Sequence, residues 1–323
     1  MSRVGFLIYG IVAYLLFLAA ILYGIGFVGD INISIRGQTT ETISTTDATE
    51  PVTSDTTEPV TTETTEAIPP TDTAEPPTTD TAEPPTTDTA EAIPPTDATE
   101  APTTDIRIFP KTIDGPVSPR TTLGVILINL MLIGAFALQH NVMARPWFKD
   151  WWTRFVPRPI ERSTYVAVAS LILLLLYWQW RPIQEVVWHV DNAIGRGILW
   201  ALYFLGWAIV FYSSFVIDHF ELFGLKQVWL HFMGREPTTA PFSERSLYRW
   251  VRHPLMLGFI IAFWSAPTMS LGRLLFAAVA TVWILIAIQI EERDLADYLG
   301  EPYRDYRQRT SMIVPWPRPP RDS

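Results

Sequence analysis

Apolar residues along this chain are gathered into long runs instead of alternating with polar ones at the spacing of a soluble core. The first, Val4 to Val28, follows a single Arg3 and shows no small-residue cleavage pattern after a short core, which predicts a spanning helix, with a signal peptide as the lesser alternative. Leu123–Leu138, Tyr165–Trp180 and Gly195–Ile217 each match one helical crossing at roughly 1.5 Å per residue. A last apolar region runs from Leu255 to Ile290 and is broken at 265–272, where Pro267 and Gly272 predict the turn of a helical hairpin. Its first arm, Leu255–Trp264, is short for a full crossing. The pattern predicts an all-α integral membrane protein of five to six membrane helices, the last two forming a hairpin, with a disordered extramembrane insert.

The insert stands apart by composition. From Gly37 to Asp105 there are sixteen Asp or Glu and no Lys or Arg, so the net charge of −9 is −16 from this segment and +7 from the rest. It is built of Thr, Pro, Glu and Ala and contains two copies of an eight-residue repeat based on Thr-Asp-Thr-Ala-Glu-Pro-Pro. Such a stretch buries too little apolar surface to offset its ordering entropy. The predicted organisation is a first transmembrane helix over 1–29, a disordered acidic insert over 30–108, and a membrane core over 109–323.

Basic residues set the expected orientation, because Lys and Arg accumulate in short cytoplasmic loops. Residues 139–162 carry Arg145, Lys149, Arg154, Arg158 and Arg162, and residues 218–252 carry Lys226, Arg235, Arg245, Arg249 and Arg252. Both loops, Arg3 and the tail after Glu291 then lie inside, with the acidic insert and the 181–196 loop outside. Trp147, Trp151, Trp152, Trp178, Trp180 and Trp188 fall near the predicted membrane boundaries, where amphipathic rings are favoured. Zero cysteines exclude a disulfide framework, a thiolate metal site and a cysteine nucleophile. Five widely spaced histidines show no paired metal-ligand spacing. Nucleic acid is not an expected partner, because the basic residues border apolar runs.

Candidate chemistry gathers at the expected cytoplasmic ends of the last two segments. Tyr248, Arg249, Trp250, Arg252, His253 and Pro254 enter the hairpin, and Glu291, Glu292, Arg293 and Asp294 leave it. Antiparallel arms would set His253 and Glu291 at one depth, facing one pocket. Carboxylates ending an apolar helix are costly unless solvated or paired, so the doublet marks either a site or simply the membrane exit. His140 and His219 also sit at expected cytoplasmic helix ends, where a structural hydrogen-bonding role is the plainer reading.

Arg252-His253-Pro254-Leu255-Met256-Leu257-Gly258, with Glu291-Glu292-Arg293-Asp294-Leu295 and Gly300-Glu301-Pro302-Tyr303-Arg304-Asp305-Tyr306, resembles the C-terminal core of the isoprenylcysteine carboxyl methyltransferase superfamily. Gln139-His140-Asn141-Val142-Met143-Ala144-Arg145-Pro146, Pro159–Tyr165 and Asp218–Gln227 are similar to its nurim-related branch. The resemblance implies a membrane-embedded enzyme, in a bacterial cytoplasmic membrane, that uses S-adenosyl-L-methionine. It implies a cofactor pocket within 245–310 lined by Tyr248, Arg252, His253, Pro254, Leu255, Met256 and Glu291, with His253 as candidate catalytic base. Met256 stands where an aromatic is usual. Carboxyl-methylating members carry an arginine one turn before the glutamate, and this chain has Ala287 there. An apolar position there suits a small uncharged acceptor, and the resemblance to the nurim-related branch implies that this acceptor is a small apolar thiol, methanethiol, methylated to dimethyl sulfide. Methylation of another small thiol or of a prenylcysteine carboxylate stands as the alternative, as does a non-catalytic nurim-like scaffold.

Methyl transfer from a sulfonium is an in-line displacement that needs neither metal nor covalent enzyme intermediate, so positioning carries much of the catalysis. A carboxylate and aromatic faces would suit the soft cation.

Overall fold

The computed structural model describes residues 2–31, 34–36, 105–107, 109–116, 122–236 and 244–315. The chain divides into two units, residues 1–35 with 107–323, and residues 36–106. Two three-residue strands, β1 (Ser34–Arg36) and β2 (Asp105–Arg107), form a two-stranded sheet. Almost all of the expected disordered insert, 30–108, lies outside the described residues.

The first unit is helical. Among the described residues five helices are long and apolar enough to cross a membrane: α1 (Arg3–Gly29), α2 (Thr122–Ala144), α4 (Arg158–Gln179), α5 (Ala193–Ile217) and α9 (Leu271–Leu299). Their outward faces carry exposed apolar side chains such as Ile8, Leu15, Met131, Leu171, Phe204 and Val282, as a lipid-facing surface requires. The short helices are α3 (Pro146–Trp152), α6 (His219–Leu222), α7 (Leu225–Phe232), α8 (Pro254–Trp264) and α10 (Glu301–Arg309). At 11 residues, α8 is about 16 Å long, roughly half of a ~30 Å hydrocarbon core. The sixth apolar segment is therefore a half-length arm.

That arm is held mainly by α5. Gly206 and Gly258 let the two backbones meet: a Cβ on Gly206 would stand 2.6 Å from the Gly258 carbonyl oxygen and the Ala262 nitrogen. From α8 the chain turns through β4 (Thr268–Ser270), which pairs antiparallel with β3 (Val186–His189), and returns as α9. The β3–β4 ribbon lies at one end of the bundle, where Asp114 pairs with Arg273 at 3.3 Å.

The core between the helices is aromatic: Phe27, Tyr177, Trp180, Tyr203, Trp207 and Phe276 pack together. Trp180 corrects one expectation, being fully buried with its indole N–H donated to the Ile113 carbonyl at 3.1 Å, whereas Trp147, Trp151 and Trp178 are exposed. Asn129, also fully buried, uses its side-chain amide like a strand neighbour: Nδ2 donates to the Arg181 carbonyl at 2.8 Å and Oδ1 accepts from the Arg181 N–H at 3.0 Å. A polar group at that depth is tolerated because each of its polar atoms is matched.

The arginine-bearing loops gather at the other end. Arg162 donates to the Leu222 carbonyl at 2.8 Å, Arg145 meets Asp294 at 2.5 Å, and Arg3 lies against Gly234. The start of α8 belongs to this end, called here the His-Pro end.

Candidate functional site

Pro254 occupies the first turn of α8, where its missing N–H costs nothing and its fixed φ suits the helix. His253 is the N-cap, and the segment before it is pinned by the C-terminal tail: Arg252 N–H donates to the Ser311 carbonyl at 2.8 Å and His253 N–H to that of Met312 at 3.1 Å. A 3-10 turn over Ser246–Arg249 precedes it and carries Tyr248.

Opposite stands α9. Its 29 residues measure about 44 Å, longer than the membrane core, so its last turns emerge with their charges. Ile288 is fully buried, and Glu292, one turn on, continues the same inward face at 1% exposure. The Glu292 carboxylate accepts from Arg252 Nε at 2.7 Å and lies 3.1 Å from His253 Nε2, while its second oxygen is 3.1 Å from Arg307 Nε. Arg252 Nη1 donates further to the Arg307 carbonyl at 2.8 Å and to that of Thr310. This arrangement locks α8, α9, α10 and the tail together around one buried anion.

Helix α10 closes the assembly with Tyr303 and Tyr306, both 2% exposed. Tyr306 donates its hydroxyl to the Tyr248 carbonyl at 2.6 Å. Burial, with the nearby Glu292 charge, pushes the Tyr303 phenol up to about 12, and burial pushes Tyr306 and Tyr248 up as well. All three stay neutral at physiological pH, so the closure depends on hydrogen bonds and packing.

The sequence-expected residues thus separate into two groups. Arg252, His253 and Pro254 are buried in the knot, while Leu255 and Met256 are half-buried on the first turn of α8. Glu291 is exposed, one position before the carboxylate that actually meets His253. Its charge bears on Tyr248 of the 3-10 turn and, with burial, helps keep that phenol neutral. Trp250, two residues beyond Tyr248 in the chain, presents 70% of its surface. Glu292 was missed as the partner of His253; its signal was the i, i+4 step from Ile288, which separates two adjacent glutamates onto different faces.

His219 lies elsewhere. Nε2 is 2.9 Å from the Tyr14 hydroxyl, Nδ1 is 2.8 Å from Ser214 Oγ, and the ring stacks on Phe215 at 4.2 Å. Both nitrogens are engaged and the residue is 3% exposed, a structural role. Among the described residues no group of three or more His, Asp or Glu is placed to hold a metal ion.

No family model matches the chain, and no solved structure matches it. Named proteins do. Methanethiol S-methyltransferase of Mycobacterium tuberculosis is 56% identical over 210 residues, covering 65% of this chain and 86% of that protein. Methanethiol S-methyltransferase 1 of Bradyrhizobium diazoefficiens is 55% identical over 211 residues, 65% of this chain and 74% of its own. More distantly, nurim of Mus musculus is 31% identical over 189 residues, 54% of this chain and 70% of that protein. With most of the bacterial enzymes' length matched at this identity, the chain belongs to the methanethiol S-methyltransferase family.

Proposed function

We propose that this protein is a membrane methyltransferase that converts methanethiol to dimethyl sulfide with S-adenosyl-L-methionine as donor. The observation that carries the reading is the 56% identity to an enzyme of that name over 86% of its length. The exposed Glu291, within charge range of Tyr248, supports it, since a carboxylate with an aromatic face suits a sulfonium-bearing ligand. Bound there, the donor supplies a methyl group on a positively charged sulfur. Glu291 would balance that charge, Tyr248 and Met256 would flank it, and Arg252, His253, Pro254 and Leu255 would form the wall behind them. Within that wall Glu292 fixes Arg252 and His253 by hydrogen bonds, so they would keep their places when the donor binds. Ala287, half-buried one turn before Glu291, leaves no cation for an acceptor carboxylate and favours a small apolar thiol over a prenylcysteine.

The positive-inside pattern supports a cytoplasmic His-Pro end and an outside 30–108 insert, and the reading takes 109–323 as the membrane core and 245–310 as its cofactor part. The testing experiment is titration of the detergent-solubilised protein with adenosylmethionine by calorimetry. The wild type should bind, and Glu291→Ala should bind at least tenfold more weakly while keeping the wild-type melting temperature. Equal affinity in both would remove Glu291 from the site, and no binding by the wild type would leave a scaffold.

A further inference from the structure

A cavity of about 450 Å³ lies at the end of the bundle opposite the His-Pro knot, and methyl transfer gives it no role. That is the size of a small-molecule site. Its walls include Asp30 where α1 ends, Asp114 from the 109–116 segment, Arg196 and Trp200 on the first two turns of α5, and Arg273 on the first turn of α9. Three membrane-length helices end or begin there, so the cavity sits at the depth where hydrocarbon gives way to lipid headgroups.

The charges around it do not balance. Arg273 is 4% exposed and already committed: Nη1 donates to the Thr268 carbonyl at 3.1 Å, and Nε lies 3.3 Å from Asp114 Oδ2. Asp114 also accepts from the Ser270 hydroxyl. Burial pushes its carboxyl up against the pull of Arg273 and Ser270, and the Asp30 charge adds to that push. Asp30 itself has no paired cation among the described residues, and its Oδ1 is buried without a hydrogen-bond partner. A half-buried carboxylate that the protein leaves unanswered is costly, so its compensation has to come from the cavity side. Trp200, half-buried and stacked on Phe204 at 5.9 Å, supplies an aromatic wall to the same cavity. An aromatic face and an unanswered carboxylate together suit an organic ammonium. A metal ion is a poorer match, since among the described residues no three His, Asp or Glu converge to hold one. At the rim Arg196 is exposed, and among the described residues no carboxylate pairs with it. His189 differs, because Thr268 Oγ1 at 2.8 Å and Asp191 at 3.3 Å engage its two nitrogens.

We propose that this cavity binds a zwitterion of ammonium and phosphate, with the ammonium on Asp30 and Trp200 and the phosphate on Arg196. Arginine is the side chain best shaped to meet a phosphate at a water-exposed rim. The same chemistry is carried by the headgroup of phosphatidylethanolamine and by free phosphoethanolamine, and the depth of the cavity favours the lipid. Such binding does not depend on methyl transfer at the other end.

The test is calorimetry on the full chain in detergent micelles, with short-chain phosphatidylethanolamine, short-chain phosphatidylglycerol and free phosphoethanolamine as probes. Wild type, Asp30→Asn, Trp200→Leu and Arg196→Gln are compared. Wild type should bind the ethanolamine lipid saturably, and should bind phosphatidylglycerol, which lacks the ammonium, about tenfold more weakly or worse. Asp30 is in the left-handed region at φ 53, which Asn also adopts readily. Asp30→Asn should therefore keep the wild-type melting temperature while losing about tenfold in affinity, the worth of one charge-assisted hydrogen bond. Trp200→Leu and Arg196→Gln should each bind more weakly than wild type. Free phosphoethanolamine binding as tightly as the lipid would support the site as one for a soluble zwitterion, and a requirement for acyl chains would support the bilayer as its source. Equal affinity for the two lipids, equal affinity in wild type and Asp30→Asn, or no saturable binding of either zwitterion would overturn the assignment. Adenosylmethionine affinity should be the same in wild type and Asp30→Asn. Its loss in that variant would make this cavity the donor's site and overturn the assignment.

Discussion

Replacing Glu292 with alanine removes the anion around which the His-Pro end is assembled. Arg252 would keep only the carbonyls of Arg307 and Thr310, inside a site where its side chain is 5% exposed and the carboxylate 2%. Loss of one partner from such a buried pair costs about 3–5 kcal/mol, because an uncompensated charge remains. Arg307 adds little to that figure: its side chain is 46% exposed, and pairs open to water are worth about 0–1 kcal/mol. The cost therefore resides in Arg252 and His253. Removing both charges, as in Arg252→Met with Glu292→Leu, should recover most of the loss, since apolar replacement of a whole buried pair is often neutral. Reversible unfolding in mixed micelles with increasing SDS would measure Glu292→Ala, and would measure Arg252→Met, Glu292→Leu and their double variant as a cycle. A loss below about 1 kcal/mol for Glu292→Ala would refute the reasoning. So would a double variant whose loss equals the sum of the singles, because residues in contact should couple.

Gly206→Ala places a methyl 2.6 Å from backbone atoms of α8, so the helices must part; an overpacking cost of about 1–3 kcal/mol is expected in the same assay, and a neutral result would contradict the close contact. Asn129→Leu leaves the Arg181 N–H and C=O unpaired beside the core, and about 1–3 kcal/mol should be lost for each group, with a lowered melting temperature as the readout. Acid should weaken the α6–α7 corner through Asp218. Burial tends to raise its carboxyl, but hydrogen bonds from Lys226 and the Glu221 N–H outweigh this and hold it below the ordinary carboxylate range. Its contribution is thus full above the unfolded value of about 3.9 and lost as pH falls through the folded one. Lys226→Met should flatten that part of the stability–pH curve, and an unchanged curve would exclude the pair as its origin.

The long helices were legible because twenty-odd consecutive apolar residues leave a chain few other stable states in lipid. The half-length α8 was legible as well, since Ser265 to Gly272 interrupt it. Finer placements were not, because they depend on which face of an element meets a neighbour. Trp180 sits at a helix end, as an interface anchor would, yet it is turned inward onto Phe27 and Phe276. Glu291 and Glu292 are chemically identical and adjacent; only the inward phase set by Ile288 distinguishes the one in the knot from the one at the surface. The β3–β4 ribbon gave no periodic signal, at four and three residues. His140 reads from the sequence as a structural hydrogen-bonder at a helix end, but its partner, the Tyr165 hydroxyl, lies 25 residues away on another helix and follows only from packing.

The most direct test of the account is headspace dimethyl sulfide from the purified protein in liposomes supplied with methanethiol and adenosylmethionine, beside empty liposomes and Glu291→Ala. The account predicts sulfide from the intact protein in proportion to enzyme and time, and little from either control. Sulfide at the empty-liposome level from a folded protein that binds adenosylmethionine would contradict methanethiol as the acceptor.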